Sequence, residues 1–202
     1  MTYGCNMSRS IADDDRPACR LLRPVVLIGL MGAGKTSVGQ RLADRLNAPF
    51  HDSDHEVERA AGMSVVEIFE TFGEADFRDG ERRVIARLLD AGPQVLATGG
   101  GAWMQEETRE AIRARAVSVW LRAGLDVLVA RTAGRSHRPL LNQGDPREVL
   151  ARLVETRYPV YALADLAVDS LPDQTHEAMC ERIEAELRRH GRETGAPVLA
   201  EE

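Results

Sequence analysis

The segment Gly29-Leu30-Met31-Gly32-Ala33-Gly34-Lys35-Thr36 follows the apolar run Val25-Val26-Leu27-Ile28 and leads into an amphipathic stretch from Val38 to Leu46. A G-x-x-x-x-G-K-[ST] pattern held between a strand and a helix points to an α/β fold whose first turn binds phosphate. The glycines let the backbone curl so that several N–H groups point inward. The first turn of the following helix adds unpaired N–H groups and the positive end of its dipole. Polyphosphate suits this chemistry, with Lys35 placed to reach the β- and γ-phosphate oxygens and the Thr36 hydroxyl to ligate Mg²⁺. Lys35 is also the one lysine of the sequence, every other basic residue being arginine. A compact ammonium has been kept where phosphate oxygens crowd together.

At 202 residues and 44% hydrophobic, the chain is long enough for one well-buried domain and short for two. A net charge of −6 argues against a general nucleic-acid or anionic-membrane surface, so neither partner is expected. Cys5, Cys19 and Cys180 are odd in number and widely spaced, which reads as free thiols in a reducing compartment. No apolar run reaches the length of a membrane span, and Asp13-Asp14-Asp15 stands where a signal peptide would need a hydrophobic core. A cytoplasmic protein is expected, with Met7 as an alternative start.

Residues 1–23 lack apolar periodicity and are expected to form a disordered arm, as are residues 191–202 at the other end. Between them, Pro49 to Asp52 reads as a short buried strand. Ser64-Val65-Val66-Glu67 is a capping box opening a short helix through Phe69, and Gly73 breaks the pattern before a longer helix from Glu74 to Leu89. Strands are expected at Gln94–Thr98, Val117–Leu121 and Leu166–Asp169, and helices at Gln105–Arg115, Leu125–Thr132, Arg147–Thr156 and Thr175–Arg189. The helix from Arg147 should stop before Pro159. Residues 133–146, rich in Gly, Pro, Arg and His, read as a mobile loop. Strands alternating with helices imply a parallel sheet covered on both faces, with functional loops at the strands' C-terminal ends.

Asp52 and Asp54 stand two apart at a strand exit on that same edge, and extended backbone would turn both carboxylates to one side. They suit a divalent cation and a substrate hydroxyl, and equally an acidic turn capping the next helix. The phosphate loop nearby favours the first reading. Arg78 and Glu81, at i and i+3 of a helix, form either a surface ion pair or a guanidinium held flat for a carboxylate ligand. Gly80 between them is unfavourable in a helix by about 1 kcal/mol relative to alanine. Gly99-Gly100-Gly101 would let backbone approach a small ligand. Arg131, Arg135 and Arg138 crowd the mobile loop, and Arg157 follows in Arg157-Tyr158-Pro159-Val160-Tyr161. The five histidines show no metal-ligand spacing.

Taken in order, Gly29 to Thr36, Asp52-Ser53-Asp54, Phe77-Arg78 with Glu81, Gly99-Gly100-Gly101, Arg138-Pro139-Leu140-Leu141 and Arg157-x-Pro159-x-Tyr161 resemble the motifs of shikimate kinases, over about residues 24–190. The resemblance implies a P-loop NTPase fold of the nucleoside-monophosphate kinase type. This is a three-layer αβα sandwich with five parallel strands and a mobile lid at about 133–146. It implies transfer of phosphate from ATP to the 3-hydroxyl of shikimate, with Mg²⁺, by a cytoplasmic monomer of aromatic amino-acid biosynthesis. By the same resemblance, Gly32, Ala33, Gly34, Lys35, Thr36 and Ser37 bind ATP with Arg131, Arg138 and Pro172, of which Arg131 and Pro172 contact adenine. Asp54, Arg78, Glu81, Gly99, Gly100, Gly101 and Arg157 bind shikimate, and Thr36 and Asp52 hold Mg²⁺. Lys35, Asp54 and Arg138 are the catalytic set.

Overall fold

The computed structural model describes residues 20–133 and 145–200. Five parallel strands form one sheet: β1 (Val25–Ile28), β2 (Phe50–Asp52), β3 (Val95–Ala97), β4 (Val117–Ala123) and β5 (Leu166–Ser170), in the order β2-β3-β1-β4-β5. Every residue of β1 is fully buried, as an all-apolar central strand covered on both faces requires. Val25 pairs with Val95 on one side and Val117 on the other. The helices are α1 (Lys35–Arg45), α2 (Ser53–Ala61), α3 (Val65–Asp90), α4 (Glu106–Arg115), α5 (Leu125–Thr132), α6 (Pro146–Tyr161) and α7 (His176–Thr194).

The β1-to-β2 crossover runs one way across the sheet and the next three run the other. Right-handed crossovers therefore put α1 on one face and α3, α4 and the α5–α6 pair on the opposite face. Helix α7 returns to pack on α1, where Arg45 is paired with Glu177 and Glu184. Neighbouring strands β1 and β3 thus send their chains to opposite faces, which opens a crevice at their C-terminal ends. Among the described residues no helix is long and apolar enough to cross a membrane. Cys180 is a buried free thiol whose pKa burial pushes up to about 11, while Cys5 and Cys19 lie outside the described residues.

The capping box at Ser64 and Glu67 is present, and α3 is kinked at Gly73, whose φ of 82° suits glycine. Four expectations are corrected. Strand β2 is half-buried, because it lies at the sheet edge. Helix α6 runs through Pro159 to Tyr161. The proline falls in the last turns, where the unpaired carbonyl belongs to the exposed Glu155, and packing holds the helix end. Trp120 meets the Tyr158 ring edge-on at 4.9 Å, and Trp103 Nε1 donates to Val160 O. The tail does not fray at Gly191, since α7 continues to Thr194 and Val198 and Leu199 are buried. The arm likewise gives way to the fold before residue 23. Leu21 is buried and bridges Leu199, and Leu22 N donates to Val198 O.

Candidate active site

The phosphate loop joins β1 to α1 with Gly32 at φ 83° and Gly34 at φ 99°, left-handed conformations that glycine alone adopts cheaply. It is packed as well as curled, since a Cβ on Gly32 would meet Thr132 Cγ2 at 3.0 Å. Lys35 and Thr36 open α1, followed by Ser37 in its first turn. Lys35 Nζ donates to Gly29 O at 2.8 Å and Leu30 O at 3.1 Å, which curves the lysine back over the loop. Thr36 Oγ1 donates to Asp52 Oδ2 at 2.9 Å, so the phosphate loop and the exit of β2 share one cleft.

Asp52 and Asp54 do come together there, though not as an extended pair. Asp52 is the N-cap of α2, its Oδ1 accepting from Asp54 N at 3.1 Å, and Asp54 sits in the helix's first turn. The helix-cap reading therefore holds for Asp52, and it leaves the other oxygen free to face Thr36: Oδ1 caps α2 while Oδ2 accepts from the Thr36 hydroxyl. The sequence reading does not identify α2, although Asp52 before Asp54 and Glu56 is an N-terminal signal. It also assigns nothing to Ser53, which is buried and whose Oγ accepts from Gly99 N at 3.0 Å, tying α2 to the glycine triplet.

Gly99, Gly100 and Gly101 leave β3 at the crevice, and each is approached by a charged group. A Cβ on Gly99 would stand 2.6 Å from Asp54 Oδ1 and 2.7 Å from Glu81 Oε1. One on Gly100 would stand 3.1 Å from Arg157 Nη1, and one on Gly101 would overlap the Arg78 guanidinium. The glycine triplet thus has a steric cause. Arg78 is held flat, Nη1 donating to Glu81 Oε2 at 2.7 Å with Phe77 beneath its guanidinium at 5.0 Å. The pair is no exposed surface bridge, because the Glu81 side chain is 2% exposed, and its buried Oε1 has no hydrogen-bond partner among the described residues. The Tyr161 hydroxyl donates to Gly100 O, and burial raises its pKa against the opposing pull of the Arg157 guanidinium.

Burial, with Asp52 alongside, pushes the Asp54 carboxyl above its usual range against the opposing pull of Lys35 and Arg78. Burial raises Glu81 too, against Arg78. The result is a cleft with the curled phosphate loop on one side and the guanidiniums of Arg78 and Arg157 against the glycine triplet on the other. A high-pKa carboxylate stands between them. Arg131, from the last turn of α5, donates to Ser170 Oγ and Leu171 O beside the exposed Pro172. Arg138 and the lid expected over 133–146 lie outside the described residues, except Ala133, Asp145 and Pro146. Among the described residues no group of three or more His, Cys, Asp or Glu side chains could hold a metal ion. The donor set in the cleft is instead one hydroxyl and one carboxylate.

A family model described as shikimate kinase matches residues 31–188. The shikimate kinase of Paramagnetospirillum magneticum is 59% identical over 164 residues, covering 81% of this chain and 84% of that one. That of Rhodopseudomonas palustris is 56% identical over 165 residues, covering 82% and 81%. Among solved structures, the shikimate kinase from Acinetobacter baumannii in complex with shikimate superposes with a TM-score of 0.75 at 37% identity, covering 83% of this chain and 92% of that one.

Proposed function

The chain belongs to the shikimate kinase family and phosphorylates shikimate at the expense of ATP in aromatic amino-acid biosynthesis, and from that premise we propose which of its residues carry each part of the reaction. The loop from Gly32 to Ser37 takes the ATP phosphates on its backbone N–H groups and the N-terminus of α1. Lys35 exchanges the carbonyls of Gly29 and Leu30 for phosphate oxygens. Arg131 and Pro172 flank the adenine, and Arg138 serves the transferring phosphate.

Shikimate lies in the hollow over Gly99, Gly100 and Gly101. Its carboxylate is taken by the guanidiniums of Arg78 and Arg157, and Glu81 keeps Arg78 in plane. Asp54 accepts a hydrogen bond from the 3-hydroxyl and aligns it with the γ-phosphorus. As the new O–P bond forms and the bond to the ADP oxygen breaks, the hydroxyl proton passes late to Asp54, whose raised pKa suits a proton acceptor. Thr36 and Asp52 present hard oxygen donors 2.9 Å apart, a fit for Mg²⁺. The ion, when bound, supplies neutralising charge to the phosphate oxygens. The reading places the enzyme in the cytoplasm, where ATP is supplied, and takes it to act as a monomer.

The observation that carries the substrate assignment is the convergence of Arg78 and Arg157 on one glycine triplet at the edge where the phosphate loop opens. Arg157→Ala should weaken shikimate binding on the order of 30-fold by titration while leaving ATP affinity in place. Unchanged shikimate affinity would overturn the assignment.

A further inference from the structure

Ser170 ends β5, and nothing in the sequence marks it. Its hydroxyl is buried where three parts of the nucleotide side meet. Ser170 Oγ donates to Ala33 O of the phosphate loop at 3.3 Å and accepts from Arg131 Nη1 at 2.7 Å. The second Arg131 nitrogen, Nη2, donates to Leu171 O at 2.8 Å, immediately before Pro172. A hydroxyl has one proton to give and lone pairs to receive, so both contacts can be made at once. The other side of the loop is braced by the same helix end, because Thr132 Cγ2 and Leu128 O crowd the position a Cβ on Gly32 would take. Arg131 is therefore fixed at two nitrogens and the loop at two points.

We propose that Ser170 is a positioning residue for the nucleotide, one that joins the base end of the site to its phosphate end. Through Arg131 it fixes the plane of the guanidinium beside Pro172, and through Ala33 it fixes the loop that receives the phosphates. ATP then meets both ends already at their bound spacing, which lowers the ordering cost of binding. None of the clamp's hydrogen bonds reaches Arg78, Arg157 or the glycine triplet, so shikimate binding is left unchanged. The proposal rests on the reading of the phosphate loop as the ATP site.

The test uses the full chain, with ATP affinity by calorimetric titration and separate KM values for ATP and shikimate. Ser170→Ala should raise the Kd and KM for ATP about fivefold to tenfold with the KM for shikimate unchanged, and Ser170→Thr, which keeps the hydroxyl, should restore most of the loss. ATP binding within twofold of wild type in Ser170→Ala would overturn the proposal. So would a parallel loss of both substrates with a lowered Tm, the mark of a merely structural role. If Ser170→Ala does not fold, Ser170→Cys, similar in volume and a poor hydrogen-bond partner, is measured against the same expectations. A wild-type chain that fails to bind ATP would refute the phosphate-loop reading itself, which separates the two failures.

Discussion

A single methyl group on Gly99 tests the geometry of the acceptor side. Gly99 is not in the left-handed region, so alanine there is a question of space alone. Its Cβ would fall 2.6 Å from Asp54 Oδ1 and 2.7 Å from Glu81 Oε1, short of the 3.4 Å of ordinary contact by 0.8 and 0.7 Å. Glu81 is buried, and the half-buried Asp54 is a short side chain in the first turn of α2, with little freedom to recede. Displacing an aligning group by about 1 Å costs on the order of 100-fold in rate, and overpacking of this kind costs about 1–3 kcal/mol. Gly99→Ala should therefore lower kcat/KM for shikimate by roughly 100-fold and Tm by roughly 2–10 °C. The affinity for ATP, measured by titration, should stay within twofold, since the phosphate loop is untouched. A variant that keeps kcat/KM for shikimate within threefold would refute the argument that Asp54 and Glu81 are held in working position by the absence of that Cβ.

Two further outcomes follow from the same cleft. A carboxyl whose folded pKa is raised stabilises the fold below its unfolded pKa and loses that contribution as pH rises through the folded value, so ionised Asp54 is a burden near neutrality. Asp54→Asn should accordingly melt at or above the wild-type temperature at pH 7.5 while losing turnover, and the difference in Tm should shrink toward pH 4. A Tm clearly below wild type at pH 7.5 would contradict this. Nothing lies within 4 Å of a Cβ built on Gly80, so Gly80→Ala should stabilise α3 by about 0.5–1 kcal/mol and raise Tm by roughly 1–4 °C, with turnover retained. A lower Tm would show that the glycine serves a need other than helix geometry.

What could be read from residue order was local or deeply buried. The strand β1, the phosphate loop and the Ser64–Glu67 capping box each carry their signal within a few residues, and the kink at Gly73 is a backbone property of one glycine. The ordered motifs also placed Asp52, Asp54, Arg78, Glu81, the glycine triplet and Arg157 at one edge of the sheet, where the structure brings them together. What could not be read depends on partners distant in sequence. Helix α6 passes Pro159 because Trp103, Trp120 and Ala123 hold its end through the side chains of Tyr158 and Tyr161 and the Val160 carbonyl. The stretch after Gly191 is polar and short, and residues up to 200 pack onto the fold because Val198 and Leu199 find the segment around Leu21. Gly191 admits that approach, with Pro197 Cα at 3.1 Å from where its Cβ would stand. Helix α2 goes unread for a different reason: its acidic start looks like a ligand site, and the Asp52 carboxylate that caps it also faces Thr36.

The most direct measurement is ADP release from Mg·ATP with shikimate, with gluconate and with no acceptor. The account predicts turnover that depends on shikimate, with little from gluconate and less without acceptor, because the proposed acceptor site sets Arg78 and Arg157 for the carboxylate of a small cyclic acid beside Asp54. Turnover with gluconate and none with shikimate would leave the phosphate loop standing and contradict the acceptor assignment.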